Sequence, residues 1–162
     1  MGDSEVRPAT LFAHWHAVRR GLKAILASLD GEAWRWRPEG ARTSIDWIVR
    51  HLATAEAFWI LGTVRGEPFT PLRRQDFPDP QAVLAEWDRI HQRSLQTLDE
   101  LSLDQLLREH RTVGEPSPFA GRELTLHQIF WVVVDHECHH RGQIQLMLRL
   151  MGREPNDGYL IW

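Results

Sequence analysis

The sequence has few of the features that mark a secreted or membrane protein. Among 162 residues the single cysteine is Cys138, which rules out an internal disulfide and fits a reducing compartment. No apolar run approaches the roughly 18 residues that a membrane-spanning helix needs. The first residues, MGDSEVRPAT, lack the charged start and apolar core of a signal peptide. We therefore expect a soluble, cytoplasmic protein with no membrane partner.

The sequence also lacks a strong charge of either sign. The formal net charge is −3 at pH 7, and no stripe of Lys and Arg with interleaved aromatic residues is present, so nucleic acid is not expected as a direct partner. Hydrophobic residues make up 43% of the chain, with eight tryptophans against one tyrosine. This apolar content suffices for a real core, and we expect residues 1–162 to form a single domain.

Four stretches have the apolar spacing of helices, at steps of three and four residues. The second, third and fourth stretches each begin at a residue that can cap a helix. Pro- and Gly-rich segments at 66–80 and 103–124 separate these three stretches. The pattern predicts an all-α fold, a four-helix bundle with long connecting loops. The predicted helices run from about 10 to 29, from Thr43 or Ser44 to about Arg65, from Asp79 to near Ser102, and from Thr125 to Gly152.

The last predicted helix carries two histidines that share one face. His136 and His140 are four residues apart, which places their rings about 40° apart and one turn from each other. Apolar residues on the same face indicate that the pair points inward. His51 lies on the inward face of the second predicted helix, so the three rings can converge. Three neutral imidazoles suit Zn²⁺, Ni²⁺ or Fe²⁺ and leave a coordination position open, which favours catalysis over a structural role.

These residues carry a family resemblance. The run HLATAEAFW on the second helix, followed far downstream by HHRGQI on the last one, resembles the DinB-like superfamily of four-helix metal-binding proteins. The resemblance implies a divalent metal held by His51, His136 and His140. It also implies a small-molecule substrate, a low-molecular-weight thiol such as bacillithiol or mycothiol as cosubstrate of a transferase or isomerase, and a homodimer.

Four neighbours of the proposed ligands are expected to assist them. Gln143 lies one turn beyond His140 and can hold a water at the ion, while His139 and Glu137 can orient a ligand ring. Arg141 can contact an anionic substrate or another subunit. Cys138, about 200° around the helix from His136, is expected to point away from the ligands.

Other functions fit the same residues. HECHH, residues 136–140, matches the H-E-x-x-H pattern of zinc proteases with Glu137 as base, but the extended pattern fails because Gly142 comes one residue early and Leu146 replaces the third histidine. The histidines can also be core residues without a metal, as is expected for His91. A metal-dependent hydrolase and a non-catalytic, stress-related metal-binding protein remain alternatives to the thiol-dependent enzyme.

The tryptophans divide into two predicted groups. Five of them fall on apolar helix faces and are expected in the core. The other three, in loops or at the end of the chain, are candidates for a pocket wall or a dimer contact. The first group is Trp15, Trp47, Trp59, Trp87 and Trp131, and the second is Trp34, Trp36 and Trp162.

Overall fold

A computed structural model describes residues 6–155 of the chain. Within them the chain forms seven α-helices, one π-helix and one two-stranded antiparallel hairpin. In chain order the elements are α1 (Pro8–Leu11), α2 (Ala13–Ala27), α3 (Gly31–Arg35), α4 (Ile45–Glu56), the π-helix (Ala57–Val64), α5 (Pro80–Glu100), α6 (Leu103–Arg108), β1 (His110–Thr112), β2 (Glu123–Thr125) and α7 (Leu126–Leu150).

The all-α fold predicted from the spacing is confirmed. The long helices α2, α4, α5 and α7 form the bundle, in which α4 packs against both α5 and α7, and α2 packs against α7. Side chains of the predicted cap residues Ser44, Asp79 and Thr125 accept hydrogen bonds from backbone amides in the first turn of α4, α5 and α7. Each cap satisfies a donor that the helix itself leaves unpaired.

The second predicted helix continues past α4 as a π-helix. The amide of Arg65 donates to the carbonyl of Ile60 at 3.1 Å, and the Thr63 hydroxyl donates to the carbonyl of Phe58 at 3.2 Å, five residues back in each case. Gly66 then ends the segment at φ +67°, a conformation that glycine adopts at low cost. The wider π turn carries Phe58 and Trp59, which line a cavity described below.

Two other predicted segments differ from the structure. The first helix is interrupted at Phe12, which separates α1 from α2. The segment 103–124, predicted as a loop, contains α6 and strand β1, and β1 pairs antiparallel with β2 in the register His110 to Thr125. The amide of Leu126 donates to the carbonyl of Glu109 at 2.9 Å, so the hairpin fixes the start of α7.

The buried core has two apolar halves, and buried charged residues lie beside Trp87 in one of them. One half contains Trp87 and the other contains Trp15. Trp87 Nε1 donates to Glu56 Oε2 at 2.7 Å, and the guanidinium of Arg19 lies 3.4 Å from the centroid of the Trp87 ring. His91, predicted to be a core histidine, is buried with Nδ1 2.9 Å from Glu56 Oε1. These partners compensate for part of the cost of burying charge.

Two of the five tryptophans predicted in the core are exposed. Trp15, Trp59 and Trp87 are buried, but Trp47 is 47% exposed and Trp131 is 43% exposed. Trp131 Nε1 donates instead to His127 Nε2 at 2.9 Å. In the second group, Trp34 is buried and Trp36 packs against the same half of the core as Trp87. Trp162 lies outside the described residues.

No helix within residues 6–155 is both long enough and apolar enough to cross a membrane.

Candidate metal centre

Three histidine rings converge where α4 faces α7. Nε2 of His136 lies 3.0 Å from Nε2 of His51 and 2.9 Å from Nε2 of His140. One ligating nitrogen of each ring lies within 4.8 Å of the others. The four-residue spacing on α7 places His136 and His140 on one face, and the packing of α4 against α7 brings His51 to it. The structure therefore brings together all three residues that the sequence singled out.

Two of the three nitrogen separations in the cluster, those from His136, fit a divalent ion. Metal–nitrogen bonds of about 2.0–2.1 Å place two imidazole nitrogens roughly 2.9 to 3.4 Å apart, for bond angles between a right angle and the tetrahedral value. The separations from His136 Nε2 to His51 Nε2 and to His140 Nε2 both fall in this range. An all-imidazole donor set is suited to zinc, nickel or iron.

Neighbouring side chains orient two of the three rings. His140 Nδ1 lies 2.7 Å from Gln143 Oε1; because that oxygen can only accept, Nδ1 carries the proton and Nε2 presents its lone pair to the other histidines. The ring of His51 is stacked on the indole of Trp47, with centroids 4.8 Å apart and planes 15° from parallel. Gln143, predicted on the inner face, is exposed at the rim.

Burial keeps the three rings neutral at neutral pH. It lowers the pKa of His136 from 6.5 to about 4, with smaller contributions from the neighbouring His140, His51 and His139. Burial also lowers the pKa of His51 and of His140, although the hydrogen bond to Gln143 partly opposes this for His140. The neutral imidazole is the form that ligates a metal.

Glu137 lies away from the histidine cluster. Its Oε2 accepts a hydrogen bond from Trp15 Nε1 at 2.9 Å, and its Oε1 lies 3.9 Å from Arg19 Nη1. Burial raises the pKa of this carboxyl, although Arg19 opposes the shift. Glu137 therefore contacts α2, and neither cavity described below includes it in its wall. The metalloprotease alternative needs this carboxylate beside the ion.

The other neighbours occupy the rim and the cavity wall. His139 is exposed, with Nε2 3.1 Å from Gln143 Nε2, and Arg141 is half-buried on α7. Cys138, predicted to point away from the ligands, is partly buried and lines the same cavity as His136 and His139. Burial raises the pKa of its thiol, so Cys138 is protonated at neutral pH, which does not favour a role as a nucleophile.

An apolar cavity of about 920 Å³ opens beside the histidines. We call it the apolar cavity. His51 and His136 form part of its wall, and aromatic and proline residues from three separate segments form half of the remainder. These residues could not be predicted to share a wall, because the π-helix and the two loops that supply them have no common periodicity. The aromatic and proline residues are Phe58, Trp59, Phe69, Pro71, Pro116, Pro118 and Phe119.

A second cavity, of about 670 Å³, also has His51 in its wall. We call it the basic cavity, because six arginines line it. The two cavities share His51, Thr54 and Pro71. This group was not predicted, since no stripe of Lys and Arg with interleaved aromatic residues was expected, although the runs WRWR and PLRR on either side of His51 in the sequence were a visible signal. The arginines are Arg35, Arg37, Arg42, Arg50, Arg73 and Arg74.

The family follows from a comparison with known families. The model of the DinB superfamily matches residues 14–144. The chain belongs to the DinB superfamily. This confirms the resemblance seen in HLATAEAFW and HHRGQI. Metal binding is general in the DinB superfamily, and His51, His136 and His140 form a group able to hold an ion.

Two relatives of this DinB-superfamily chain agree with that assignment. An uncharacterized protein of Bacillus subtilis strain 168, YjoA, is 22% identical over 146 residues, which cover 88% of this chain and 89% of YjoA. A crystal structure of a DinB-like protein from Bacillus cereus ATCC 10987 aligns with a TM-score of 0.65 at 18% identity. That alignment covers 90% of this chain and 92% of the other. At this identity the second comparison shows the shared fold.

Proposed function

We propose that this protein is a divalent-metal-dependent enzyme that joins a low-molecular-weight thiol to an apolar electrophile, or isomerises a thiol adduct. His51, His136 and His140 hold the zinc, nickel or iron ion. The observation that carries the proposal is the convergence of three imidazole nitrogens beside a large apolar cavity, whose wall includes two of the three rings, His51 and His136. Pockets with mostly apolar walls and a few converging polar groups are typical of small-molecule sites.

The metal ligands, Gln143 and the aromatic wall of the apolar cavity have different roles in the proposed reaction. A divalent ion in this position supplies a Lewis acid that makes a thiolate or a hydroxide available near neutral pH. Gln143 keeps the lone pair of His140 Nε2 directed at the cluster. Phe58, Phe69 and Phe119 bind the apolar part of the electrophile and exclude water from the reacting atoms.

The number of ligands supports catalysis over a purely structural metal. Structural zinc sites fill four positions with protein ligands, often cysteines. In residues 6–155 the candidate metal group consists of three histidines. A position is therefore left for a substrate sulfur.

The thiol cosubstrate, the homodimeric state and the cytoplasmic location come from the resemblance and from the composition, and we include them in the proposal. Size-exclusion chromatography with light scattering tests the dimer. A mass close to twice the 18.9 kDa of one chain is expected, and a mass of one chain would contradict it.

The reaction is tested with a thiol and an aromatic electrophile such as 1-chloro-2,4-dinitrobenzene. The thiolate sulfur forms the new C–S bond, the C–Cl bond breaks, and chloride leaves while the thiol proton goes to solvent. We expect metal-loaded protein to accelerate the reaction and His136→Ala to remove the acceleration. His110→Ala, which changes an exposed histidine outside both cavities, is the matched control. Equal rates in the two variants would contradict the proposal.

A hydrolase is the second candidate, because Asp135 also lines the apolar cavity next to His136. A carboxylate there can act as a general base for water. If the protein is a hydrolase, Asp135→Asn lowers ester hydrolysis by about 100-fold or more, while the metal content stays unchanged. Unchanged hydrolysis in Asp135→Asn would remove this candidate.

A further inference from the structure

We propose that the basic cavity binds the anionic end of a small-molecule cosubstrate, a group with two negative charges such as a dicarboxylate or a phosphate. The other end of that molecule extends past His51, which lies in the walls of both cavities, to the histidine cluster. The second statement rests on the proposed function. The first concerns the arginines alone and is tested separately.

The charge of the basic cavity is strongly one-sided. Six arginines line it, against one acidic residue, Asp46. Arg50 pairs with Asp46, and in residues 6–155 no carboxylate forms an ion pair with the other five arginines. Those five side chains belong to exposed residues from two loops and the end of α3. A concave surface with one sign of charge concentrates ions of the opposite sign.

Arg50 gives the cavity a buried anchor. The residue is only 7% exposed, and its Nε and Nη2 lie 3.0 Å and 2.9 Å from Asp46 Oδ1. Its Nη1 is buried and has no hydrogen-bond partner within the described part of the chain. A buried donor without a partner is costly. An oxyanion in the cavity supplies the missing acceptor, and the geometry of a guanidinium suits carboxylate and phosphate oxygens.

The basic cavity adjoins the metal centre. His51 and Thr54 lie in the walls of both cavities, and Trp47, stacked on His51, lines the basic one. The Thr54 hydroxyl accepts a hydrogen bond from the amide of Leu72 at 3.0 Å. This contact holds the loop that carries Arg73 and Arg74 against α4. A ligand with its anionic end among the arginines therefore lies beside the histidine cluster.

The cavity favours a small molecule over a nucleic acid. Its volume of about 670 Å³ is within the usual range of small-molecule sites, roughly 300–1,000 Å³. The arginines surround a hollow and do not follow a helix or a groove. The net charge of −3 also opposes the long-range attraction that nucleic-acid binding needs.

Isothermal titration calorimetry of the full-length protein tests the site. The probes are inorganic phosphate and succinate, titrated separately at constant ionic strength, with acetate as a monovalent comparison. The double variant Arg73→Gln/Arg74→Gln is expected to weaken binding by about tenfold or more, since a charge-assisted hydrogen bond contributes about that factor. The matched control, Arg20→Gln/Arg149→Gln, also removes two exposed positive charges but lies outside the cavity and should bind as wild type.

Two further variants separate loss of anion binding from misfolding and from loss of the proposed metal. Arg50→Lys keeps the charge but loses the forked contact, and it should weaken binding while circular dichroism remains unchanged. His140→Ala removes one histidine that is not part of the basic cavity, so it should keep anion binding. Anion binding in a protein without metal would leave this inference intact and remove only the proposed function.

Each outcome has a definite meaning. Binding of phosphate alone assigns a phosphorylated ligand, binding of succinate alone assigns a dicarboxylate, and either result supports the inference. Dissociation constants weaker than about 10 mM for both probes would overturn it. Equal losses in the cavity and control variants would also overturn it, as would tight binding of a DNA or RNA oligonucleotide that depends on Arg73 and Arg74.

Discussion

At the scale of single residues, Gln143 has the most specific role around the histidine cluster. Its amide oxygen accepts from His140 Nδ1 at 2.7 Å, and its amide nitrogen lies 3.1 Å from His139 Nε2. Partners of this kind fix the tautomer and the orientation of a ligand ring. The side chain would therefore act on a bound ion through His140, although it is itself exposed.

Replacing Gln143 should weaken metal binding without abolishing it. We expect Gln143→Ala to lower the affinity for zinc by about 10- to 100-fold, the usual effect of removing a group that orients a ligand. Competition with a chromophoric chelator measures this affinity. Gln92→Ala, at an exposed position on α5, is the control and should bind as wild type. Equal affinities in the two variants would show that Gln143 has no orienting role.

The sequence predicted the positions of the key histidines better than their surroundings. The helical period places His136 and His140 on one face whatever packs against them. His51 joins them because α4 packs against α7. Trp47 lies on the same stripe as His51 and was predicted to be buried. It is 47% exposed, because the stripe extends past the core to the wall of the basic cavity. Periodicity gives the direction of a side chain but not the extent of the neighbour that covers it.

At the scale of secondary-structure elements, a buried contact between α4 and α5 stands apart from the metal centre. One carboxylate oxygen of Glu56, Oε2, accepts a hydrogen bond from Trp87 Nε1, and the other, Oε1, lies next to His91 Nδ1. We expect Glu56→Gln to lower the free energy of unfolding by about 1.5–3 kcal/mol, the contribution of a hydrogen bond to a charged group. Urea denaturation measures this, and Glu39→Gln, at an exposed position in a loop, should cost far less.

The same contact gives a pH dependence of known sign. Burial of Glu56 opposes its ionisation, but His91 and Arg19 outweigh burial and the pKa of Glu56 is lowered from 4.5. Below pH 4.5 the unfolded carboxyl binds a proton more readily than the folded one, so stability is lost as the pH falls through the lowered pKa. The advantage of wild type over Glu56→Gln should therefore be full above about pH 5 and shrink below pH 4.5. A difference that grows on acidification would contradict this assignment.

The helix boundaries were predictable where a single residue sets them. Asp79 followed by Pro80, and Thr125 at the start of α7, act through local hydrogen bonds and backbone angles, which the sequence carries directly. The π-helix was not predictable, since AFWILGTV also has the composition of an ordinary helix. The strands β1 and β2 are three residues each. Such short strands depend on pairing and on contact with α7, which no local pattern reveals.

At the scale of the whole molecule, we predict that metal binding is coupled to folding, because the three histidines converge only when α4 packs against α7. Free metal at 100 times its dissociation constant stabilises the folded state by about 2.7 kcal/mol. For a chain of this size, removal of the metal with a chelator should lower Tm by about 5–10 °C. Differential scanning calorimetry measures the change. His140→Ala should show no such effect, and an equal shift in that variant would place the ion elsewhere.

The two cavities were the least predictable feature of the molecule. Phe58, Phe69 and Phe119 come from the π-helix and two loops. The arginines of the basic cavity come from α3, α4, the loop between them and the loop that also carries Phe69. Residues on a helix are related by its period, whereas these meet only after the loops have packed. The sequence therefore predicted the fold and the three histidines that converge, while the two cavities beside them needed the structure.

Elemental analysis of protein purified without a histidine tag tests the central claim most directly. The variants His51→Ala, His136→Ala and His140→Ala are compared with wild type and with the control His139→Ala. We predict about one zinc, nickel or iron ion per chain in wild type and in His139→Ala, and loss of the ion in each of the other three, because each removes one of the three ligands. Full metal content in any of those three variants, or a folded wild type that binds no metal, would contradict the assignment of His51, His136 and His140 as the metal site.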